Sequence, residues 1–83
     1  MKMSSLFKQR LKLIKTDSRV FEEVKASVQE KIYINDITLP IEEGDVFEYV
    51  LPSGILQILH VTKVTLYNVG SSLDHYEITY QKE

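Results

Sequence analysis

Residues 40–60 constrain the fold of this chain most, because they place a turn sequence between two apolar runs. The first run, residues 46–51, is apolar and aromatic, and the second begins at Ile55. Between them lies Pro52-Ser53-Gly54, and proline at the second position and glycine at the fourth are typical of a β-turn. Gly44-Asp45 is suited to the preceding reversal. This pattern predicts a β-hairpin around which the other strands are arranged.

Alternation of apolar and polar residues predicts further strands along the chain. The alternation is clearest in residues 24–29 and 75–80, and shorter apolar runs occupy residues 11–15 and 32–34. Because only a short turn, Glu30-Lys31, separates residues 32–34 from the strand before them, we expect these two strands to pair.

The segment before residue 24 has an irregular pattern. Phe21 and Val24 are three residues apart, so the alternation slips at Glu22-Glu23. A β-bulge at these two glutamates restores the register. The competing prediction is a helix over residues 18–30, which its charged residues favour. We prefer the strand because residues 32–34 pair naturally with it.

The longest apolar segment, residues 55–67, changes the parity of its apolar positions around Leu59-His60 and again towards Val64 and Leu66. A strongly bent strand that serves both sides of a small barrel explains such shifts. The chain as a whole is therefore predicted to be all-β, a small five- to six-stranded antiparallel barrel or sandwich with at most one short helix. Residues 1–10 are expected to form an N-terminal arm and residues 11–83 a single domain.

Composition excludes several classes of protein. With 83 residues the chain is long enough for one domain, and the absence of cysteine excludes disulfides and cysteine-based zinc sites. A net charge of −2 disfavours a general affinity for nucleic acid. The sequence has neither an apolar run of about 20 residues nor the features of a signal peptide, which predicts a cytoplasmic protein without a membrane partner.

Residues that would support catalysis or metal binding are scattered. His60 and His75 lie on separate predicted strands with no third ligand at a recognisable spacing, and no nucleophile elbow is present. We therefore predict no catalytic residue, no metal site, no cofactor, no small-molecule substrate and no enzymatic activity. One alternative is a hard cation held by Glu42-Glu43 and Asp45. A solvated turn in which Asp45 accepts bonds from backbone amides is the preferred interpretation.

The aromatic hairpin strand suggests contact with another protein. Phe47, Tyr49 and Leu51 share one of its faces, and Val46 and Val50 share the other. We expect one face to fill the barrel and the other to meet a protein partner or a second copy, since aromatic residues are enriched in interfaces. The predicted partner-binding residues are Leu6, Phe7, Phe47, Tyr49 and Leu51.

An alternative function is binding of nucleic acid through the segment 8–19. This segment contains five of the ten basic residues of the chain, and aromatic side chains elsewhere would stack on bases. The predicted contacts are Lys8, Arg10, Lys12, Lys15 and Arg19.

Several short motifs resemble those of small uncharacterised proteins of bacterial genomes, prophages and other mobile elements. The motifs are VKASVQ (24–29), IYI (32–34), LPIEEGD (39–45), LPSG (51–54) and HYEI (75–78). The order of elements also resembles that of the small β-barrel head-completion and stopper proteins of tailed phages. The resemblance implies a non-catalytic protein-interaction module of a prophage or mobile element, including a head-tail joining role in a virion. It also implies a longer loop before the final strand than residues 67–74 provide.

Overall fold

Six antiparallel strands form a closed barrel in which the strand order is β1-β2-β3-β6-β5-β4. A computed structural model describes residues 9–68, 70 and 73–83, and this part of the chain is all-β. The strands are β1 (Gln9–Ile14), β2 (Val20–Val28), β3 (Ile32–Ile34), β4 (Val46–Val50), β5 (Leu56–Tyr67) and β6 (His75–Lys82). The all-β prediction is confirmed, and of the two predicted architectures the structure shows the barrel. The competing prediction of a helix over residues 18–30 is wrong, because strand β2 lies there. Over the described ranges, no helix has the length and apolarity needed to cross a membrane.

One connection passes between strands that are not neighbours in the barrel. Strand β3 pairs with β6, whereas β4 pairs with β1 and β5, so residues 35–45 run from one side of the barrel to the other. Ile41 in this connection is buried, and Leu39 packs against the core. The Tyr76 hydroxyl donates a 2.6 Å hydrogen bond to the Leu39 carbonyl oxygen. The connection is therefore attached to the barrel by apolar packing and by this bond.

Strand β2 contains the bulge that the sequence predicted. Leu11 pairs with Val24, but Leu13 pairs with Phe21, so Glu22 and Glu23 together face the single residue between Leu11 and Leu13. Glu23 has a φ of 58°, a left-handed conformation that bulges tolerate. The extra residue returns Phe21 to the inward side, where it packs against the core.

Strand β5 is shared between two neighbours, β4 along its first half and β6 along its second. The predicted change of parity at Leu59-His60 is wrong, because the pairing with β4 is regular from Leu56 to His60. The register shifts later, between Val61 and Lys63 in the ladder with β6. An extra residue at this position bends the strand around the barrel.

The core is formed by inward-facing residues of every strand. Phe47 lies at its centre, fully buried, and pairs with the buried Leu13 on one side and the buried Leu59 on the other. The remaining buried apolar residues are Leu11, Val24, Ala26, Ile32, Ile34, Ile41, Val61, Tyr76 and Ile78.

Candidate functional site

Strand β4 turns the face that carries Phe47 towards the core and the face that carries Val50 outwards, although Phe47 was predicted to bind a partner. Phe47 is completely buried, and Tyr49 is partly buried and packs against the core. Neither aromatic ring therefore forms an outer contact surface, which corrects the prediction for Phe47 in particular. Val50 is on the outer face and is 60% exposed. Of the other predicted partner-binding residues, Leu51 is half-buried at the end of β4, and Leu6 and Phe7 lie outside the described residues.

The tip of the β4–β5 hairpin carries the most exposed apolar side chains of β4, β5 and the turn between them. Val50 pairs directly with Leu56, which is 51% exposed, and Ile55 in the turn is 61% exposed. Contiguous exposed apolar surface on a folded domain is typical of a contact site. We call Val50, Ile55 and Leu56 the hairpin tip. The sequence contained a signal for the hairpin tip, because alternation places Val50 on the face of β4 opposite Phe47 and Tyr49.

The hairpin tip is held in one conformation by its turn. The Leu51 N–H donates to the Ile55 carbonyl oxygen at 2.8 Å, and the Gly54 N–H donates to the Leu51 carbonyl oxygen at 2.8 Å. Gly54 has a φ of 88°, which a residue with a side chain rarely adopts. A tip fixed in this way loses little conformational freedom when it is covered by a partner.

No protein-family model, curated protein or solved structure matches this chain.

The basic segment 8–19 is largely paired with carboxylates. Arg10 lies 3.7 Å from Glu23, Lys12 lies 3.9 Å from Glu48, and Arg19 lies 2.8 Å from Asp17. Lys15 is buried and does not reach a surface where nucleic acid could bind, so this predicted contact is wrong. Lys8 lies outside the described residues.

Lys15 is part of a buried cluster of charged groups at one end of the barrel. Its Nζ donates to an Asp45 carboxylate oxygen at 2.5 Å, to a Glu42 carboxylate oxygen at 3.0 Å and to the Pro40 carbonyl oxygen. The side chains of Lys15 and Asp45 are 1% and 0% exposed. The Asp45 oxygen that binds Lys15 also accepts the Glu42 backbone N–H at 2.8 Å, which is the kind of backbone bond predicted for Asp45. The turn was also expected to be solvated, and at Asp45 this is wrong because the side chain is buried beside Lys15.

The electrostatics of this cluster indicate a structural role. Burial lowers the pKa of Lys15, but its hydrogen bonds to Asp45 and Glu42 outweigh that effect and raise the pKa above its ordinary value. The ammonium group therefore occupies the position that a cation would take in the alternative metal site at this turn. Among the residues the structure describes, no group of three or more histidines and carboxylates is arranged to hold a metal ion.

The two histidines lie in separate places on the outer surface. The His60 Nε2 is 2.9 Å from a Glu83 carboxylate oxygen. His75 stacks on Tyr67 with ring centroids 4.9 Å apart, and its Nδ1 donates to the Leu73 carbonyl oxygen at 2.8 Å. The His75 Nε2 is 3.3 Å from a Glu77 carboxylate oxygen, so both ring nitrogens face acceptors. Only the protonated ring donates to both.

The ionisation of His75 is expected to depend on Glu77. The Leu73 carbonyl raises the pKa of His75 most, desolvation opposes it, and Glu77 raises it further. Because the folded pKa is the higher one, this stabilisation is complete below the unfolded value near 6.5 and is lost as the pH rises through the folded pKa. We expect Glu77→Gln to lower the His75 pKa in an NMR titration of the ring carbons.

Glu83→Gln is the matched control, since it removes a carboxylate that contacts the other histidine, His60. It should leave the His75 titration unchanged. An identical titration curve for His75 in Glu77→Gln and in the unsubstituted protein would show that Glu77 does not stabilise the protonated His75 ring.

Proposed function

We propose that this barrel is a non-catalytic protein-interaction module that binds another protein chain through its hairpin tip. The observation that supports the proposal is the exposure of Val50, Ile55 and Leu56, at 60%, 61% and 51%, on one rigid turn. Covering these apolar side chains with a partner removes their surface from water, and this favours association.

Charged residues next to the hairpin tip are arranged as the rim of an interface usually is. An open groove of about 200 Å³ lies beside Val50 and Leu56, and its walls include Arg10, Lys12 and Glu48. The Lys12–Glu48 and Arg10–Glu23 pairs are loose, at 3.9 and 3.7 Å, and their side chains are partly or largely exposed. Such charges add specificity more than affinity when a partner approaches.

Binding of nucleic acid receives less support from the geometry. Each described cation of the basic segment lies within 4 Å of a carboxylate oxygen, and Lys15 is buried. These carboxylates offset part of the positive charge that binding to a phosphate backbone requires. The resemblance described above implies a role in joining the head and tail of a virion. Such a role is one specific form of the proposal, because it would use an apolar contact surface of this kind.

Site-specific photo-cross-linking tests the hairpin tip in cells that naturally produce the protein. A photoreactive phenylalanine analogue replaces Leu56 in one variant and the exposed Lys63 of β5 in the control. We expect a discrete adduct from position 56 alone, and we expect Val50→Glu to abolish it. An adduct of twice the 9.7 kDa chain mass identifies a second copy, and another discrete mass identifies a different protein.

The same variants define the contrary result. Circular dichroism and thermal melts establish that each variant is folded before the cells are irradiated. Absence of a discrete adduct at position 56, an identical adduct at position 63, or an adduct that persists in Val50→Glu would overturn the proposal.

A further inference from the structure

Within the part of the chain that the structure describes, most of one edge of strand β2 has no strand beside it. The other edge pairs with β1 from Val20 to Ala26, but pairing with β3 involves only Ser27 and Val28. In an antiparallel ladder each strand uses the N–H and C=O groups of alternate residues towards one neighbour, so the intervening groups point the other way. Among the described residues, no backbone bond joins residues 20–25 to the connection 35–45 that runs past them.

This open edge borders a groove of about 490 Å³. The groove is lined by all six residues from Val20 to Lys25 and, on the opposite wall, by Asp36 and Leu39. Phe21, Val24 and Leu39 provide apolar surface that belongs to the core or packs against it. Six residues of strand extend about 20 Å, which matches an extended peptide of six or seven residues.

The charges around the groove are mainly negative. Glu22, Glu23 and Asp36 contribute three carboxylates, and Lys25 contributes one cation. Glu22 and Glu23 are both exposed, and the bulge that contains them lies in the ladder with β1. Glu23 forms a loose ion pair, 3.7 Å from Arg10, and its side chain is 75% exposed. The edge therefore combines free backbone groups with a field that attracts cations.

We propose that the open edge of β2 binds an extended, basic segment of a partner protein, which adds a strand to the barrel. Backbone hydrogen bonds give such a complex its affinity, and side chains of the added strand that alternate between the groove and solvent give specificity. Lysine or arginine at every second position would face Glu22 and Glu23, while the apolar positions would contact Phe21 and Leu39. This site shares Glu22 and Glu23 with the groove beside the hairpin tip, but Asp36, Leu39 and the open backbone edge of β2 do not contribute to the hairpin tip.

The same features argue against a second copy of this chain as the occupant. Two β2 edges that paired with one another would bring Glu22 and Glu23 close to identical glutamates, and like charges across a strand pair are destabilising. Charged residues at an edge are also a usual protection against pairing with an identical chain. A basic strand reverses the sign of the charge term while it uses the same backbone groups.

Titration with short peptides tests the proposal on the full chain. The probe is a blocked seven-residue peptide that alternates lysine and valine, and the first control is the same peptide with glutamate in place of lysine. In two-dimensional NMR spectra we expect the lysine peptide to shift the amide signals of residues 20–25, Asp36 and Leu39. We expect the glutamate peptide to shift none of them.

A second control separates strand addition from simple charge attraction. A lysine–valine peptide that carries N-methyl groups on alternate backbone nitrogens retains its charge but loses its donors, and it should bind much more weakly. Glu22→Lys combined with Glu23→Lys should weaken binding of the unmodified peptide about tenfold, since two attractive pairs become repulsive. Equal binding of the N-methylated peptide, or shifts centred elsewhere on the barrel, would overturn the proposal. An unchanged dissociation constant in the double variant would do the same.

Discussion

Lys15→Met is expected to reduce the free energy of unfolding by about 3–5 kcal/mol, because it leaves Asp45 as a buried charge without its cation. Lys15 and Asp45 have side chains that are 1% and 0% exposed, and 2.5 Å separates Nζ from the carboxylate oxygen. The second partner of Lys15, Glu42, is 71% exposed and stays hydrated when the lysine is removed. Most of the cost should therefore come from Asp45, and a smaller part from the Pro40 carbonyl oxygen, which also loses its donor. Urea denaturation followed by circular dichroism measures it.

Lys15→Met together with Asp45→Asn is expected to recover most of the lost stability. Asparagine retains an oxygen that accepts the Glu42 backbone N–H, now at 2.8 Å, and no charge remains buried. Replacement of both members of a buried ion pair costs less than removal of one member, because no uncompensated charge is left buried. The double-mutant cycle should therefore show strong coupling between the two positions.

Lys12→Met is the control for the removal of a lysine as such. Lys12 is 3.9 Å from Glu48, and the two side chains are 43% and 28% exposed, so its loss should cost less than about 1 kcal/mol. If Lys15→Met were as mild as Lys12→Met, or if the double variant were as unstable as the single one, the buried pair would not stabilise the barrel as inferred.

Local patterns predicted the parts of the fold that depend on neighbouring residues. The spacing of Phe21 and Val24 located the bulge at Glu22-Glu23, and the turn Glu30-Lys31 correctly predicted the pairing of β2 with β3. Both features follow from alternation within one strand or across one turn. The number and length of the strands and the spacing of the turn signals predicted a small antiparallel barrel or sandwich, and the structure shows the barrel.

The buried ion pair depends on a pairing between distant parts of the chain. By alternation, Lys15 has the parity of Leu11 and Leu13, which are both buried. The register of β1 with β4 pairs Ile14 with Val46, and its continuation by one residue places Lys15 opposite Asp45. The parity of Lys15 was visible in the sequence, but a buried lysine is favourable only beside a buried carboxylate. That partner is 30 residues away, and only the β1–β4 pairing identifies it.

The faces of β4 were assigned wrongly for a related reason. Alternation separated Phe47 and Tyr49 from Val46 and Val50 but did not indicate which set faces inward, because both are apolar. The choice depends on the neighbours of β4: Leu13 and Leu59, which flank Phe47, are both fully buried. The outward-facing side of β4 consequently ends at the hairpin tip, where Val50 pairs with Leu56.

Phe47→Ala is expected to cost about 3–5 kcal/mol, the usual loss when a buried phenylalanine is truncated. Phe47 is 0% exposed and lies between Leu13 and Leu59, so the cavity is surrounded by strands that the ladders hold in place. Domains have about 0.05–0.15 kcal/mol of stability per residue, so this loss is a large share of the total for a chain of 83 residues. The urea midpoint should fall sharply, and a fraction of the protein should be unfolded without denaturant.

Val50→Ala provides the comparison that distinguishes a core residue from a contact residue on the same strand. Val50 is 60% exposed, so its truncation should change the free energy of unfolding by no more than about 0.5 kcal/mol. In the cross-linking experiment, however, this variant should reduce the adduct formed from position 56. If Phe47→Ala left the urea midpoint unchanged while Val50→Ala lowered it, Phe47 would be the exposed residue. The faces of β4 would then be those that the sequence first suggested.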